Sequence, residues 1–506
     1  MLNLSEVSMD AKDLHPAFKP LAPFSTRGKT AQADIMGVTG RPRQFSRDAL
    51  VAAGLFCLVF AGKAGVLNLP YHWDEMSAYI APSHWLARNG IWSVLPGLHP
   101  PTEFFGHPPL IYFTLAALFT LAGEKIWLAH LLTICSSFLA VYFTYLLACR
   151  LYGRTTGILA SLLLFCSPVF FAQSGMATAE PFVTALGVMC AYYALAGNYP
   201  AYLFCAILLV LTKETSAAVI SAILLYIYVT ERAYSGNSRK LLKYAVPLLV
   251  LLAFFALQKT TTGAFLPNPY FEGNTFLRRS TDSFLWIFFH QYRFLMSGII
   301  LASFFALGKA AWKKEFFLFF TITLSFAVPF SFIFFTPRYI MPVLPFFFII
   351  GASSLVSMYK DFKRQLMVAL MVAGLFLTRM HGTGAGDGSF ETDMQYRDVV
   401  MVHKEACRYL RAKFPGQPVL ALWPMTQELR EPSFGYVDRP LNVVGVNDRF
   451  NILLYTPQGL PDNSKLKDMA VRQGMVLDKI FERNNKHVEV YIVRSDSGRP
   501  PHIPGI

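Results

Sequence analysis

Charge is what this sequence has least of. Only 15% of its 506 residues are Asp, Glu, Lys or Arg, where a soluble globular domain carries about 25%. Hydrophobic residues make up 54%, Phe alone supplies 46, and the mean hydropathy is +0.41. The three soluble domains that the length would allow are therefore excluded, and the bulk of the chain is dissolved in lipid. Cysteine is sparse as well. Of seven, Cys57, Cys135, Cys149, Cys166, Cys190 and Cys205 lie in apolar segments and only Cys407 lies elsewhere. That pattern holds neither a disulfide framework nor a CxxC metal site. The sequence has no Walker A loop and no dinucleotide fingerprint, so no nucleotide cofactor is expected. It also shows no internal repeat with helices broken at matching points of two halves, which weighs against a secondary transporter.

Acidic residues are outnumbered, 31 against 45 basic, for a formal charge of +14. The basic excess sits mostly in short loops between apolar runs. That is the positive-inside pattern of a membrane protein and speaks against nucleic acid as a partner.

What is present is a series of apolar runs. They fall near 50–69, 108–122, 126–149, 157–173, 181–196, 200–212, 215–230, 244–258, 290–308, 315–335, 338–357 and 364–379. A helix needs about 20 residues to span the hydrocarbon, so the shortest runs are doubtful spans by themselves. Residues 1–47, rich in Pro, Gly and Lys/Arg and without periodicity, read as a disordered cytoplasmic tail. The first apolar run begins too far in for an ordinary cleavable signal peptide and reads as a signal anchor.

Basic clusters at Arg150/Arg154, Arg232/Arg239/Lys240/Lys243, Lys309/Lys313/Lys314 and Lys360/Lys363/Arg364 mark cytoplasmic loops. Loop 70–107 sets Asp74, Glu75 and Glu103 against Arg88 alone and belongs outside. Alternation works from 157 onward and leaves 381–506 outside. It fails over 108–149, which has two apolar runs and needs an odd number of crossings; the expectation is that 108–122 lies in the interface or re-enters. After the glycine-rich link 382–388, residues 394–413 have helical periodicity, whereas 418–423, 441–446 and 488–493 read as strands. The expected organisation is a transmembrane catalytic domain over 48–380 and a small extracytoplasmic α/β domain over 381–506.

Loop 70–107 carries the most chemistry. It opens Tyr71-His72-Trp73-Asp74-Glu75 and closes Gly106-His107-Pro108-Pro109, and it holds His72, His84, His99 and His107 out of eleven histidines. A carboxylate pair at a membrane surface suits a general base and a metal or acceptor ligand. The plainer reading, that the acids cap an interfacial helix, stands beside it. Glu180, just before the helix-starting Pro181, is equally well explained by helix capping. Lys213-Glu214 interrupts two apolar runs; a mutual ion pair at a tight turn and a functional role are both open. Lys63 and His130, lone polar residues in apolar runs, read as snorkelling or paired. Cations also collect on the expected outer surface at Arg278/Arg279, His290-Gln-Tyr-Arg293 and Thr336-Pro-Arg338-Tyr339. They oppose the positive-inside trend, so an anionic ligand such as a lipid phosphate, or plain headgroup contact, must account for them.

In order and spacing these short motifs resemble the GT-C glycosyltransferases that use lipid-linked sugars, the superfamily of bacterial aminoarabinose transferases and protein O-mannosyltransferases. The resemblance covers roughly residues 50–380. An Asp-Glu pair follows the first span (Asp74-Glu75), and the loop closes on Phe105-Gly-His107-Pro-Pro-Leu-Ile-Tyr112. A second outer carboxylate precedes a proline (Glu180-Pro181). A Thr-Lys pair (Thr212-Lys213), a His-x-x-Arg-Phe element (His290 to Phe294) and a Pro-x-Tyr-Ile turn (Pro337 to Ile340) complete the set. Two positions depart from the aminoarabinose enzymes. Ser77 stands where they have Arg, and Gly106-His107 where they have Glu-Lys before the proline, so neither donor sugar nor metal carries over.

The resemblance implies a polytopic α-helical membrane protein of GT-C fold with about 11–13 transmembrane helices. It implies transfer of a hexosyl or pentosyl group from a polyprenyl-phosphate donor to a hydroxyl of a lipid, glycan or protein acceptor. Asp74, with Glu75 and Glu180, would be catalytic; Lys213, His290, Arg293, Arg338 and Tyr339 would hold the donor phosphate. His107 and Glu103 are candidates for contact with the acceptor or with a divalent metal, whose requirement is open. The expected place is the cell (inner) membrane, N-terminus cytoplasmic and C-terminal domain extracytoplasmic. A polysaccharide polymerase or ligase demands a large loop late in the chain. The largest interhelical loops here are the first and 259–289, which disfavours it.

Overall fold

The computed structural model describes residues 42–100, 107–232, 238–265, 276–308, 315–331, 335–380, 391–458 and 463–493. Glu103, most of the N-terminal tail and the glycine-rich link fall outside these ranges. Two units separate, Met1–Gly54 and Leu55–Ile506. Of the first, the opening turns of the helix Pro42–Lys63 are described; all that follows concerns the second.

Helices dominate, as the composition requires. Six among the described residues are long and apolar enough to cross a membrane: Asp48–Val66, Ile126–Tyr152, Ala179–Ala196, Lys240–Thr262, Asp282–Leu307 and Pro337–Met358. Five further apolar helices are shorter, Leu110–Ala122, Arg154–Cys166, Tyr199–Thr212, Glu214–Thr230 and Glu315–Ala327. The protein is a multi-pass membrane protein, and its apolar helices follow the predicted runs. Their ends obey local chemistry. Ala179–Ala196 stops at Gly197 in the left-handed region (φ 73°), and Asn198 caps the next helix by accepting from the Ala201 amide at 3.2 Å.

The helix Leu110–Ala122 is one of these short helices, as Arg154–Cys166 and Glu315–Ala327 are. Its 13 residues reach about 20 Å, short of a ~30 Å hydrocarbon core. It buries Tyr112, Leu115 and Phe119 in the hydrophobic cluster that also contains Tyr71 and Met76 of the first loop.

That cluster crosses the boundary expected near 380. Val400, Cys407, Phe434, Ile452 and Val490 belong to it, so the C-terminal region shares a core with the first loop. Backbone bonds fasten the two: the Tyr71 amide donates to the Phe434 carbonyl at 3.1 Å, and the Tyr436 hydroxyl donates to the Tyr71 carbonyl at 3.0 Å. The C-terminal region places the helix Gln395–Lys413 against a five-stranded sheet. Strands β1 (Val419–Leu420), β2 (Val443–Val444), β3 (Ile452–Tyr455), β4 (Val476–Arg483) and β5 (Lys486–Ile492) run in the order β2-β1-β3-β5-β4. β1 is parallel to β2 and β3, while β5 is antiparallel to β3 and β4. Asn484 and Asn485, both at positive φ, form the two-residue turn between β4 and β5, which asparagine tolerates better than most residues.

Candidate active site

Asp74 is presented by a strained turn. Trp73 before it has φ +44°, in a region costing a non-glycine residue about 1–3 kcal/mol. Directly after it, Glu75–Ile80 forms one turn of π-helix, a form concentrated at functional sites. The two adjacent carboxylates consequently diverge. Asp74 accepts from Arg338 Nη2, and its side chain remains 41% exposed. Glu75 turns inward, where Oε1 meets His130 Nε2 at 2.8 Å and the Ala177 amide at 2.7 Å, and Oε2 takes the His72 amide at 3.1 Å. His130 Nδ1 in turn lies 3.0 Å from the Leu67 carbonyl. Glu75 therefore braces three chain segments. His107, a candidate for acceptor or metal contact, pairs with Glu214 at 2.9 Å.

Lys213 and Glu214 do not pair with each other. Lys213 sits extended (φ −158°) between two helices, and its turn is pinned by the Ser216 hydroxyl donating to the carbonyls of Leu209 (2.9 Å) and Lys213 (2.5 Å). Its Nζ reaches Glu180 Oε1 at 2.7 Å and lies 4.1 Å from the centre of the Tyr339 ring. Arg338 comes from the 3-10 turn Pro337–Val343, which opens on a proline that presets its φ. Its guanidinium meets Asp74, Glu180 (Nε–Oε1 3.5 Å) and Glu391. The result is one buried group: Glu180 bridges the two cations that would otherwise repel, and Asp74 is its exposed member. Glu180 Oε2 and Glu391 Oε1 are buried with no hydrogen-bond partner among the described residues, which leaves two acceptors for ligand hydroxyls. Burial, and next the Glu180 carboxylate, push the Tyr79 phenol well above its usual range, so Tyr79 is a donor beside this group and not a base.

Arg293 and His290 are not joined to it by the contacts that hold the rest together. The Arg293 guanidinium is wholly buried. It donates to the Trp286 and Ile287 carbonyls and to Gln291 Oε1 (3.0 Å), closing a kink where Gln291 and Tyr292 both have positive φ. His290 stacks on the Trp286 ring at 4.5 Å. Gln291 reaches toward the site only indirectly, donating from Nε2 to the Thr392 carbonyl at 2.9 Å, next to Glu391. Lys63 is paired as expected, 3.7 Å above the Phe171 ring.

Among the described residues, which do not include the metal candidate Glu103, no three His, Cys, Asp and Glu side chains are grouped to hold a metal ion, and the carboxylates around Arg338 already face cations. The histidines of the first loop scatter: His72 stacks on Tyr396 at 5.9 Å, and His84 lies beside Phe434 and Ser433.

An apolar cavity of about 690 Å³ runs between the helices Ala217–Arg232 and Glu315–Ala327. Ser221, Leu225 and Leu324 are in its wall, with Glu214 and Phe330 also lining it. Phe330 stacks on Tyr339 at 5.0 Å, which is the ring beneath Lys213. The cavity thus adjoins the charged group.

Fold and motif now meet in one class. The family model of dolichyl-phosphate-mannose-protein mannosyltransferases matches residues 106–258. The fold is that of ArnT from Cupriavidus metallidurans in the apo state, at 15% identity and a TM-score of 0.57, over 88% of this chain and 97% of that one. The same protein bound to undecaprenyl phosphate matches at 17% identity and a TM-score of 0.54, over 90% and 99%. An oligosaccharyltransferase from Archaeoglobus fulgidus, crystallised with Zn and sulfate, is more remote, at 11% identity and 0.44 over 84% and 69%. No curated protein matches significantly. Together, family match and fold support a glycosyltransferase of GT-C type, similar to the aminoarabinose and protein O-mannosyltransferases.

Proposed function

We propose that this protein transfers a sugar from a polyprenyl-phosphate donor to an acceptor hydroxyl on the extracytoplasmic face of the membrane. The observation that carries the reading is the joining of an apolar cavity to a buried pair of cations beside one exposed carboxylate. A lipid phosphate has that shape in chemical terms. Its prenyl chain suits the cavity between Ala217–Arg232 and Glu315–Ala327, and its phosphate suits Lys213 and Arg338, with Tyr339 beneath. The ArnT likeness, in a protein that binds undecaprenyl phosphate, supports the same donor class.

In the reaction, the acceptor oxygen attacks the anomeric carbon, and the bond from that carbon to the phosphate oxygen breaks. The acceptor proton passes to Asp74, and the electron pair leaves with polyprenyl phosphate. Asp74 suits the base because it alone of the three carboxylates is open to solvent; Glu180, 3% exposed in its side chain, holds the cations together instead. Lys213 and Arg338 stabilise the charge that develops on the leaving phosphate, a preorganised contribution of about 10²–10³-fold for a single donor. The sugar and the acceptor class, lipid, glycan or protein, are to be read from a deletion strain. Its envelope should lose one glycosylated species and accumulate polyprenyl-phosphate sugar, and wild-type protein but not Asp74→Asn should restore the pattern. Identical glycan and lipid profiles in deletion and parent strains would reject the assignment.

A further inference from the structure

Glu391 has no place in the reaction just described, yet its carboxylate occupies the guanidinium proposed to hold the donor phosphate. Its carboxylate pairs with Arg338 Nη1, while Asp74 and Glu180 hold other edges of the same guanidinium. A guanidinium recognises phosphate through paired N–H donors, so a donor phosphate paired through Nη1 competes with Glu391. Charge points the same way. Three carboxylates face two cations, Arg338 and Lys213, and a fourth anion entering that group meets net repulsion.

The backbone behind Glu391 is built to deliver it. Gln173 Nε2 donates to the Glu391 carbonyl at 2.9 Å, and Gln291 Nε2 donates to the Thr392 carbonyl at 2.9 Å. Two residues on, the Met394 amide donates to the Met380 carbonyl at 2.7 Å. These three bonds dock the start of the C-terminal region on the helical region. The side chain they deliver is buried, and its Oε1 finds no partner among the described residues.

We infer that Glu391 is an internal competitor for the donor phosphate, a carboxylate latch that occupies Arg338 in the empty enzyme and yields when a lipid phosphate arrives. The inference rests on the proposed donor. It makes the C-terminal region a participant in the donor cycle: the latch opens on binding and, by returning, helps expel the polyprenyl phosphate product. Apparent affinity is lowered by the fraction of molecules in which the latch is shut.

The test measures binding of long-chain polyprenyl phosphate to the full-length protein in nanodiscs. Glu391→Gln keeps the shape and the hydrogen bond but removes the charge. It should tighten binding by about tenfold and lower the donor KM by a similar factor, while slower product release holds kcat level or reduces it. Glu391→Asp, which restores the charge, should return affinity toward wild type. Unchanged or weaker binding by a folded Glu391→Gln protein would overturn the latch. Hydrogen exchange on the wild type gives an independent reading: protection at 391–394 should fall when polyprenyl phosphate saturates the protein, and unchanged protection would also overturn it. If wild type binds and Lys213→Met weakens binding, but Glu391→Gln does not tighten it, the latch fails and the donor stands. If wild type does not bind at all, both fail.

Discussion

Replacing Lys213 by Met removes one charge and keeps most of the stem. In the structure its Nζ has two engagements, Glu180 Oε1 at 2.7 Å and the Tyr339 ring at 4.1 Å. If the ammonium also meets the donor phosphate, the loss is that of a charged hydrogen bond, about 1.5–3 kcal/mol, or roughly 13- to 160-fold in Kd. Stability falls for a separate reason. Removing one partner of a buried ion pair costs about 3–5 kcal/mol because the other charge is stranded. Here the cost should lie at or below the bottom of that range, since Glu180 keeps Arg338 at 3.5 Å. The two effects come apart in the double variant Lys213→Met/Glu180→Gln. It strands no carboxylate and should regain much of the thermal stability, while donor affinity stays low. Polyprenyl phosphate titration and thermal melting of the two variants and wild type measure both quantities. A folded Lys213→Met protein with wild-type affinity refutes the reasoning. So does a double variant whose affinity recovers, because Lys213 would then serve only to neutralise Glu180.

Glu75→Gln should lower stability by about 1–3 kcal/mol, through its bonds to His130 and the Ala177 and His72 amides, while a folded fraction retains donor affinity; melting and titration report each. Ser221→Trp should obstruct the apolar cavity and weaken a long-chain polyprenyl phosphate about tenfold, some 1.4 kcal/mol, yet leave a short-chain prenyl phosphate unaffected; equal losses for both would separate the cavity from the lipid. His84 is buried, and burial lowers its pKa to about 4, against the pull of Glu124; burial likewise holds His72 well below the usual range. Both are neutral when folded and bind protons more readily when unfolded. Their contribution is therefore full above about pH 6.5 and is lost as pH falls from there toward 4, up to ~3 kcal/mol for His84. Melting in detergent from pH 7.5 to 4.5 should show that decline, and a flat profile would contradict it.

The membrane class and most helices were legible in the sequence because apolar runs and turn residues are local signals, whereas the GT-C likeness rested on the resemblance of short motifs to a known family. Asp74, Lys213, Arg338 and Tyr339 were legible for a related reason: a polar side chain at the end of an apolar segment is conspicuous. What local reading lacks is direction. Arg293 and His290 stand at an equally prominent helix start, but the left-handed residues Gln291 and Tyr292 make a kink whose carbonyls take up the Arg293 guanidinium. The pairing of Glu75 with His130 joins residues 55 apart. His130 stands alone in an apolar run and Glu75 beside another carboxylate; a buried charge demands a partner, but only packing decides which. Glu391 follows a glycine-rich link with nothing local to mark it; only the fold carries it to Arg338. Neither β3 nor β4 coincides with an expected strand: β3 is a buried run of four residues, and β4 is mostly exposed and lacks a buried alternating face.

The central claim is that this chain moves a sugar off a polyprenyl phosphate with Asp74 as base. Its most direct test is the release of polyprenyl phosphate from a saturating polyprenyl-phosphate sugar, measured with purified wild type and Asp74→Asn in native-membrane nanodiscs. A general base contributes about 10²–10⁴-fold, so the variant should bind the donor as wild type does and turn over slower by that factor. An Asp74→Asn protein that keeps more than about a tenth of wild-type turnover, above what loss of a base permits, would contradict the account.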